Sequence, residues 1–187
     1  IQYYGSKIEN SDIQGIYDAG MVFNADSYPA FGLQTMGEKA IAATQPDGNM
    51  SLDLKIEQVK QYPTKDGEVT EILLKDKVYP FEIKQYYKAY QGTDIISTWI
   101  EIMNNGKKSV TLYRFVSAYL PVQRGDNWLT HFHGHWGAEN MLEEEKLTNG
   151  QKVISNKDGM VNTETDNPSF MLSIDGKPQE EYGHILG

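Results

Sequence analysis

Residues 79–103 read YPFEIKQYYKAYQGTDIISTWIEIM, and this stretch decides the class of fold. Tyr79, Phe81, Ile83, Tyr87 and Ala89 alternate with Pro80, Glu82, Lys84, Tyr86 and Lys88. A period of two belongs to a strand with one buried face, since a helix would repeat its apolar positions every 3.6 residues. The alternation resumes with Ile96, Thr98, Ile100 and Ile102 against Ser97, Trp99, Glu101 and Met103. After Asn104-Asn105-Gly106 it continues with Val110, Leu112, Val116, Ala118 and Leu120 against Thr111, Tyr113, Phe115 and Tyr119. The turn signal between these two runs predicts that they pair as a hairpin.

The same signals recur on both sides. Asp47-Gly48, Asp66-Gly67, Asn149-Gly150, Asp158-Gly159 and Asp175-Gly176 each supply a residue that tolerates positive φ between more apolar segments. Further strands are expected over Trp128 to Trp136, Lys146 to Lys157 with a break at Asn149-Gly150, and Phe170 to Ile174. The best helical candidate is Ala138 to Glu145, one or two turns long. Regularly spaced short strands predict an all-β chain folded as a large antiparallel β-sandwich. No Pro/Ser-rich linker divides the 187 residues, so a single domain over 1–187 is expected.

Composition narrows the function. The chain carries 26 acidic and 17 basic residues, a net charge of −9, with no basic tract. Such a surface repels phosphate backbones and anionic lipid, which argues against nucleic acid or a membrane as partner and leaves neutral sugars open. The absence of cysteine excludes thiolate metal sites and a cysteine nucleophile. No apolar run approaches the ~18 residues that span a bilayer. The compartment stays open between the cytoplasm and export from a bacterium.

The search for chemistry turns on His131-Phe132-His133-Gly134-His135-Trp136. On a strand the three histidines share one face with neighbours about 6.6 Å apart, and the outer pair stands about 13 Å apart. Three imidazoles so spaced cannot meet one ion, so a metal site would need a further ligand from elsewhere. The preferred reading is a polar strand face, with Trp128, Phe132 and Trp136 packed opposite as core. Glu143-Glu144-Glu145 reads as a solvated charged stretch, because three adjacent residues do not present converging oxygens. No phosphate loop, G-x-S-x-G elbow or H-E-x-x-H motif is present. No catalytic residue, metal or cofactor is therefore expected. From Asn10 to Gly37 the chain is rich in Asp, Asn, Gly and Ser, and rings occur there and just before it at Tyr3, Tyr4, Tyr17, Tyr28 and Phe31. Rings beside short polar side chains in a loop can stack on sugars, or can simply cap a sandwich edge.

An ordered set of segments carries a family resemblance. Tyr3-Tyr4-Gly5-Ser6-Lys7-Ile8 is followed by Tyr28-Pro29 to Gly32, Asp47-Gly48 through Leu52-Asp53-Leu54, and the run Glu82 to Tyr119. That run contains Asp94-Ile95-Ile96 and Met103-Asn104-Asn105. Gly134-His135-Trp136 with Glu139, Asp158-Gly159, Asn167-Pro168-Ser169-Phe170 and Glu181-Tyr182-Gly183-His184 complete the order. Together they resemble the N-terminal domain of α-galactosidases of glycoside hydrolase family 36.

The resemblance implies a galactose-mutarotase-like β-supersandwich that precedes a (β/α)8 barrel and a C-terminal β domain. In such enzymes two barrel aspartates release terminal α-linked galactose from melibiose, raffinose and related oligosaccharides by a retaining mechanism. None of that barrel lies in these 187 residues, so the chain is expected to be a fragment, inactive alone, of a homo-oligomeric enzyme. Ile1 in place of Met agrees with that expectation. Family N-terminal loops approach the barrel mouth, and the resemblance therefore selects Tyr17, Tyr28 and Phe31 as sugar-contacting candidates. Ser97-Thr98 stand where relatives often carry Arg, which leaves the subfamily open. Two other functions fit the residues: a sugar mutarotase or epimerase using His131, His133 and Glu139, and a carbohydrate-binding module using the loop aromatics.

Overall fold

In a computed structural model of the chain, the described residues are 28–32, 38–120, 122, 125–156, 166–167, 169–174, 176–177 and the backbone of 183–186. They contain strands and turns and no helix. Two compact units divide the chain, Ile1–Pro121 and Val122–Gly187.

The first unit holds β1 (Ile41–Thr44), β2 (Leu54–Thr64), β3 (Gly67–Asp76), β4 (Phe81–Tyr90), β5 (Ile96–Asn104) and β6 (Thr111–Phe115). Four of these form the antiparallel sheet β2-β3-β4-β5, while β1 pairs antiparallel with β6. The alternation read from the sequence is realised in the first half of β4, where Phe81, Ile83 and Gln85 are buried between the more exposed Glu82 and Lys84; beyond it Tyr86, expected outward, is buried and Ala89, expected inward, is exposed. Phe81 and Ile83 join Leu74 of β3 and Ile41 and Ala43 of β1 in one apolar cluster, which also takes in Tyr28, Ala30, Ala40 and Leu52. Burial of these side chains, at about 25 cal/mol per Å² of apolar surface, is what holds the two sheets of this unit together.

A buried carboxylate organises the β3–β4 connection. Asp76 accepts hydrogen bonds from the backbone N–H groups of Asp53 (2.7 Å), Val78 (2.8 Å) and Tyr79 (2.9 Å). Those donors leave the sheet ladder at a turn, and an acceptor-only carboxylate satisfies all three.

The Asp66-Gly67 signal marks a real hairpin for a different reason than expected. Gly67 already pairs with Thr64, so Lys65 and Asp66 form the loop. A Cβ on Gly67 would lie 2.0 Å from the carbonyl oxygen of Ala89, so close approach to β4 requires the glycine there.

The hairpin expected between the runs 96–103 and 110–120 does not form. β5 pairs with β4, and Thr111–Phe115 pairs with β1. A two-residue type I′ turn needs positive φ at both central residues, and neither Asn105 nor Gly106 adopts it. Asn104 instead ties the connection down, accepting from the Gly106 N–H (3.0 Å) and donating to the Lys108 carbonyl (2.8 Å). Pro80 accepts from the Asn105 N–H at 2.8 Å.

The second unit is one antiparallel sheet, β10-β9-β7-β8, built from β7 (Trp128–His135), β8 (Ala138–Lys146), β9 (Phe170–Ser173) and β10 (Gly183–Leu186). The segment read as a possible helix is strand β8. Its Ala, Glu, Met and Leu favour a helix locally, but pairing with β7 through the Trp136-Gly137 turn overrides that preference. Gly137 takes φ +81, and a bulge at His133/His135 is accommodated by Asn140 at φ 54. After Lys146 the chain forms no strand up to residue 156, so the run expected over Lys146 to Lys157 is a loop. Trp136, expected in the core, is 83% exposed at the tip of the β7–β8 turn, while Trp128 and Phe132 are half-buried.

Candidate functional site

Of the three loop aromatics, Tyr17 lies outside the described residues. Tyr28 is 4% exposed and donates its hydroxyl to the Val116 carbonyl at 2.7 Å. Burial raises its pKa, against a smaller lowering by that hydrogen bond. Phe31, three residues on, is 43% exposed. Tyr28 thus fixes the segment to the core of the first unit, and of these two described rings Phe31 is the one in reach of solvent. The backbone between them is held by β-type contacts to β1: the Phe31 N–H reaches the Ile41 carbonyl at 3.0 Å, and Ala40 donates to Pro29 at 2.7 Å.

A second polar cluster in this unit sits at the Asp47-Gly48 turn. Tyr79 donates its hydroxyl to Asp47 at 2.7 Å, and the Asn49 side-chain amide donates to Tyr79 at 2.9 Å. Asp47 is held below the usual carboxylate range, chiefly by the Asn49 backbone N–H and then by Tyr79; the same contact with Asp47 raises Tyr79. Asp47, Tyr79, Asn104 and Lys108 line a shallow cleft of about 290 Å³.

The histidine strand gives a sharper geometry. His131 and His133 share a face of β7, as the i, i+2 spacing requires, with ring centroids 6.1 Å apart. His131 is 3% exposed, while His133 is partly open and His135 is exposed beside the turn. Facing them is β8, in which His131 stands opposite Glu143. His131 Nε2 lies 3.6 Å from Glu143 Oε2 and 3.5 Å from Glu145 Oε1; His133 Nε2 lies 3.5 Å from Glu143 Oε2. Lys152 forms an ion pair with Glu145, and this contact, followed by His131, holds the Glu145 carboxyl below its ordinary pKa.

The acidic stretch therefore does present converging oxygens. On a strand Glu143 and Glu145 point to one face and Glu144 to the other, where Lys177 meets it at 3.7 Å. The expectation of a solvated charged stretch considers only adjacent residues; the pair that converges is i, i+2, which a strand brings to one face.

Comparisons with known proteins agree in pointing one way. α-Galactosidase AgaA of Geobacillus stearothermophilus is 23% identical over 175 residues, covering 86% of this chain and 24% of that protein. The bifunctional α-galactosidase/sucrose kinase AgaSK of Mediterraneibacter gnavus is 25% identical over 112 residues, covering 60% of this chain and 12% of that one. Among solved structures, an AgaA variant in complex with stachyose superposes with a TM-score of 0.79 at 21% identity, over 92% of this chain and 28% of that chain. The galactosidase domain of AgaSK gives 0.77 at 21% identity, over 94% of this chain and 28% of that chain. The chain spans about a quarter or less of the length of these curated relatives. The profile of the glycosyl hydrolase family 36 N-terminal domain matches residues 1–187, end to end, and the chain belongs to that family.

Proposed function

We propose that the chain is the non-catalytic N-terminal β-supersandwich of an α-galactosidase that releases terminal α-linked galactose from oligosaccharides. The observation that carries this reading is the full-length match to the family's N-terminal domain, in a chain about a quarter the length of an α-galactosidase relative. AgaA variants solved with stachyose and with raffinose supply the substrate class. In the whole enzyme the domain helps to shape the mouth of the active site and to form contacts between subunits of a homo-oligomer. Phe31, exposed on a segment anchored by the buried Tyr28, is the candidate for stacking on a leaving-group sugar, with Tyr17 as a second; its exposure and the anchoring of its segment support this reading.

The test is made in the full-length enzyme. Phe31→Ala is expected to raise KM for raffinose or stachyose by about threefold to tenfold, the scale of one lost ring contact, with kcat for a small aryl galactoside unchanged. Equal losses on both substrates would remove Phe31 from the mouth. Polarimetry of galactose anomers separates the mutarotase reading, because acceleration lost in His133→Ala would assign chemistry to this chain and overturn the proposal.

A further inference from the structure

His131 is buried in the middle of β7, and neither ring nitrogen has a hydrogen-bond partner. Buried imidazoles ordinarily donate or accept at both nitrogens, because stripping water from them without replacement is unfavourable. What His131 Nε2 faces is a pair of carboxylate oxygens, and the three atoms all lie within 4.8 Å of one another. Around a tetrahedral ion with bonds near 2.0–2.1 Å, adjacent donor atoms stand about 3.4 Å apart. The two separations from His131, 3.6 and 3.5 Å, are already close to that value.

We propose that His131, Glu143 and Glu145 bind a divalent transition-metal ion of the zinc class, with a fourth position left to solvent. The donor set selects the class: a neutral imidazole with two carboxylates suits zinc, whereas calcium and magnesium prefer oxygen ligands alone. Two antiparallel strands hold the donors, so their spacing is set by the sheet rather than by a loop. Both glutamate side chains are partly open to solvent, although Glu145 Oε1 itself is buried, so an ion would enter past Glu143. His133 reaches Glu143 alone and orients that carboxylate from outside the ligand set. Lys152 competes with the ion for Glu145 and must move outward as it binds; it lies in the loop after β8. The site is independent of the α-galactosidase reading and stands or falls separately from it.

Titration calorimetry of the metal-stripped full chain with zinc chloride tests the site, and visible absorption of the cobalt-loaded chain reports coordination geometry. One ion per chain is expected. His131→Ala should weaken binding at least tenfold, and so should the double substitution Glu143→Gln with Glu145→Gln. The double variant alters only partly exposed side chains, and its far-ultraviolet dichroism checks that the sheet persists if His131→Ala fails to fold. Lys152→Ala should tighten binding several-fold by removing the competing ammonium. Absence of stoichiometric zinc, or an ion whose affinity neither variant changes, would overturn the site and leave His131 as an ion-pair partner of the two glutamates.

Discussion

Asp76 and His131 are both buried polar side chains on antiparallel strands, one in each unit of the chain, and they are satisfied in opposite ways. Asp76 takes three backbone N–H groups and closes the β3–β4 connection. His131 has two ring nitrogens and no hydrogen bond to either, with two carboxylates standing just beyond bonding distance. The first arrangement satisfies three backbone donors within the fold. The second leaves a buried imidazole facing two carboxylates, the geometry on which the proposed metal site rests.

Substitutions can break this contrast, and Asp76→Ala should have the largest effect. It strands three donors, and an expected loss of about 2–3 kcal/mol in unfolding free energy would be read by urea denaturation. Tyr28→Phe removes one part-buried hydrogen bond to Val116 and should cost about 1 kcal/mol by the same measurement. In metal-free buffer His131→Leu should cost less than Asp76→Ala, since it strands no backbone donor and removes only contacts to two carboxylate oxygens at 3.6 and 3.5 Å. A loss as large as that of Asp76→Ala would show that His131 holds the sheet together after all.

The smallest effect concerns pH. Asp47, Asp53, Asp66 and Glu145 all have carboxyls held below their ordinary values: Asp53 by Lys77 and Lys55, Asp66 by Lys88, Glu145 by Lys152 and then His131. Groups whose folded pKa is lowered stabilise the fold above the unfolded pKa, near 4, and lose that contribution as pH falls below it. Stability should thus decline gently from about pH 5 downward, and because the lysine pairs of Asp53, Asp66 and Glu145 are at least partly exposed, added salt should flatten their share of the slope. A slope that salt leaves untouched would point to buried carboxylates instead.

The strands were legible because a period of two is written directly in residues such as Phe81, Ile83, Ile100 and Ile102, which lie in or against the apolar cluster. Their partners were less so. Alternation states which face is buried and says nothing of which edge is paired, so the run after Gly106 reads equally well against β5 or β1. Gly67 does not take the positive φ that the Asp66-Gly67 signal suggests; what requires glycine there is the Ala89 carbonyl of the neighbouring strand, which only the three-dimensional structure brings near. The face shared by His131 and His133 was visible from spacing alone. Glu143 and Glu145 stay hidden when the three glutamates are read only as neighbours, because on a strand alternate residues share a face; Trp136 fits the stripe of Trp128 and Phe132, but β7 ends at His135 and the turn takes Trp136 out of the sheet.

The chain belongs to the family 36 N-terminal domains, and the central proposal is that it is not catalytic by itself. Incubating the purified 187-residue chain with an aryl α-galactoside tests it most directly. No release of the aryl group above the buffer rate is predicted, with or without zinc. Turnover that copurifies with the chain and disappears in the Glu143→Gln, Glu145→Gln variant would contradict the account.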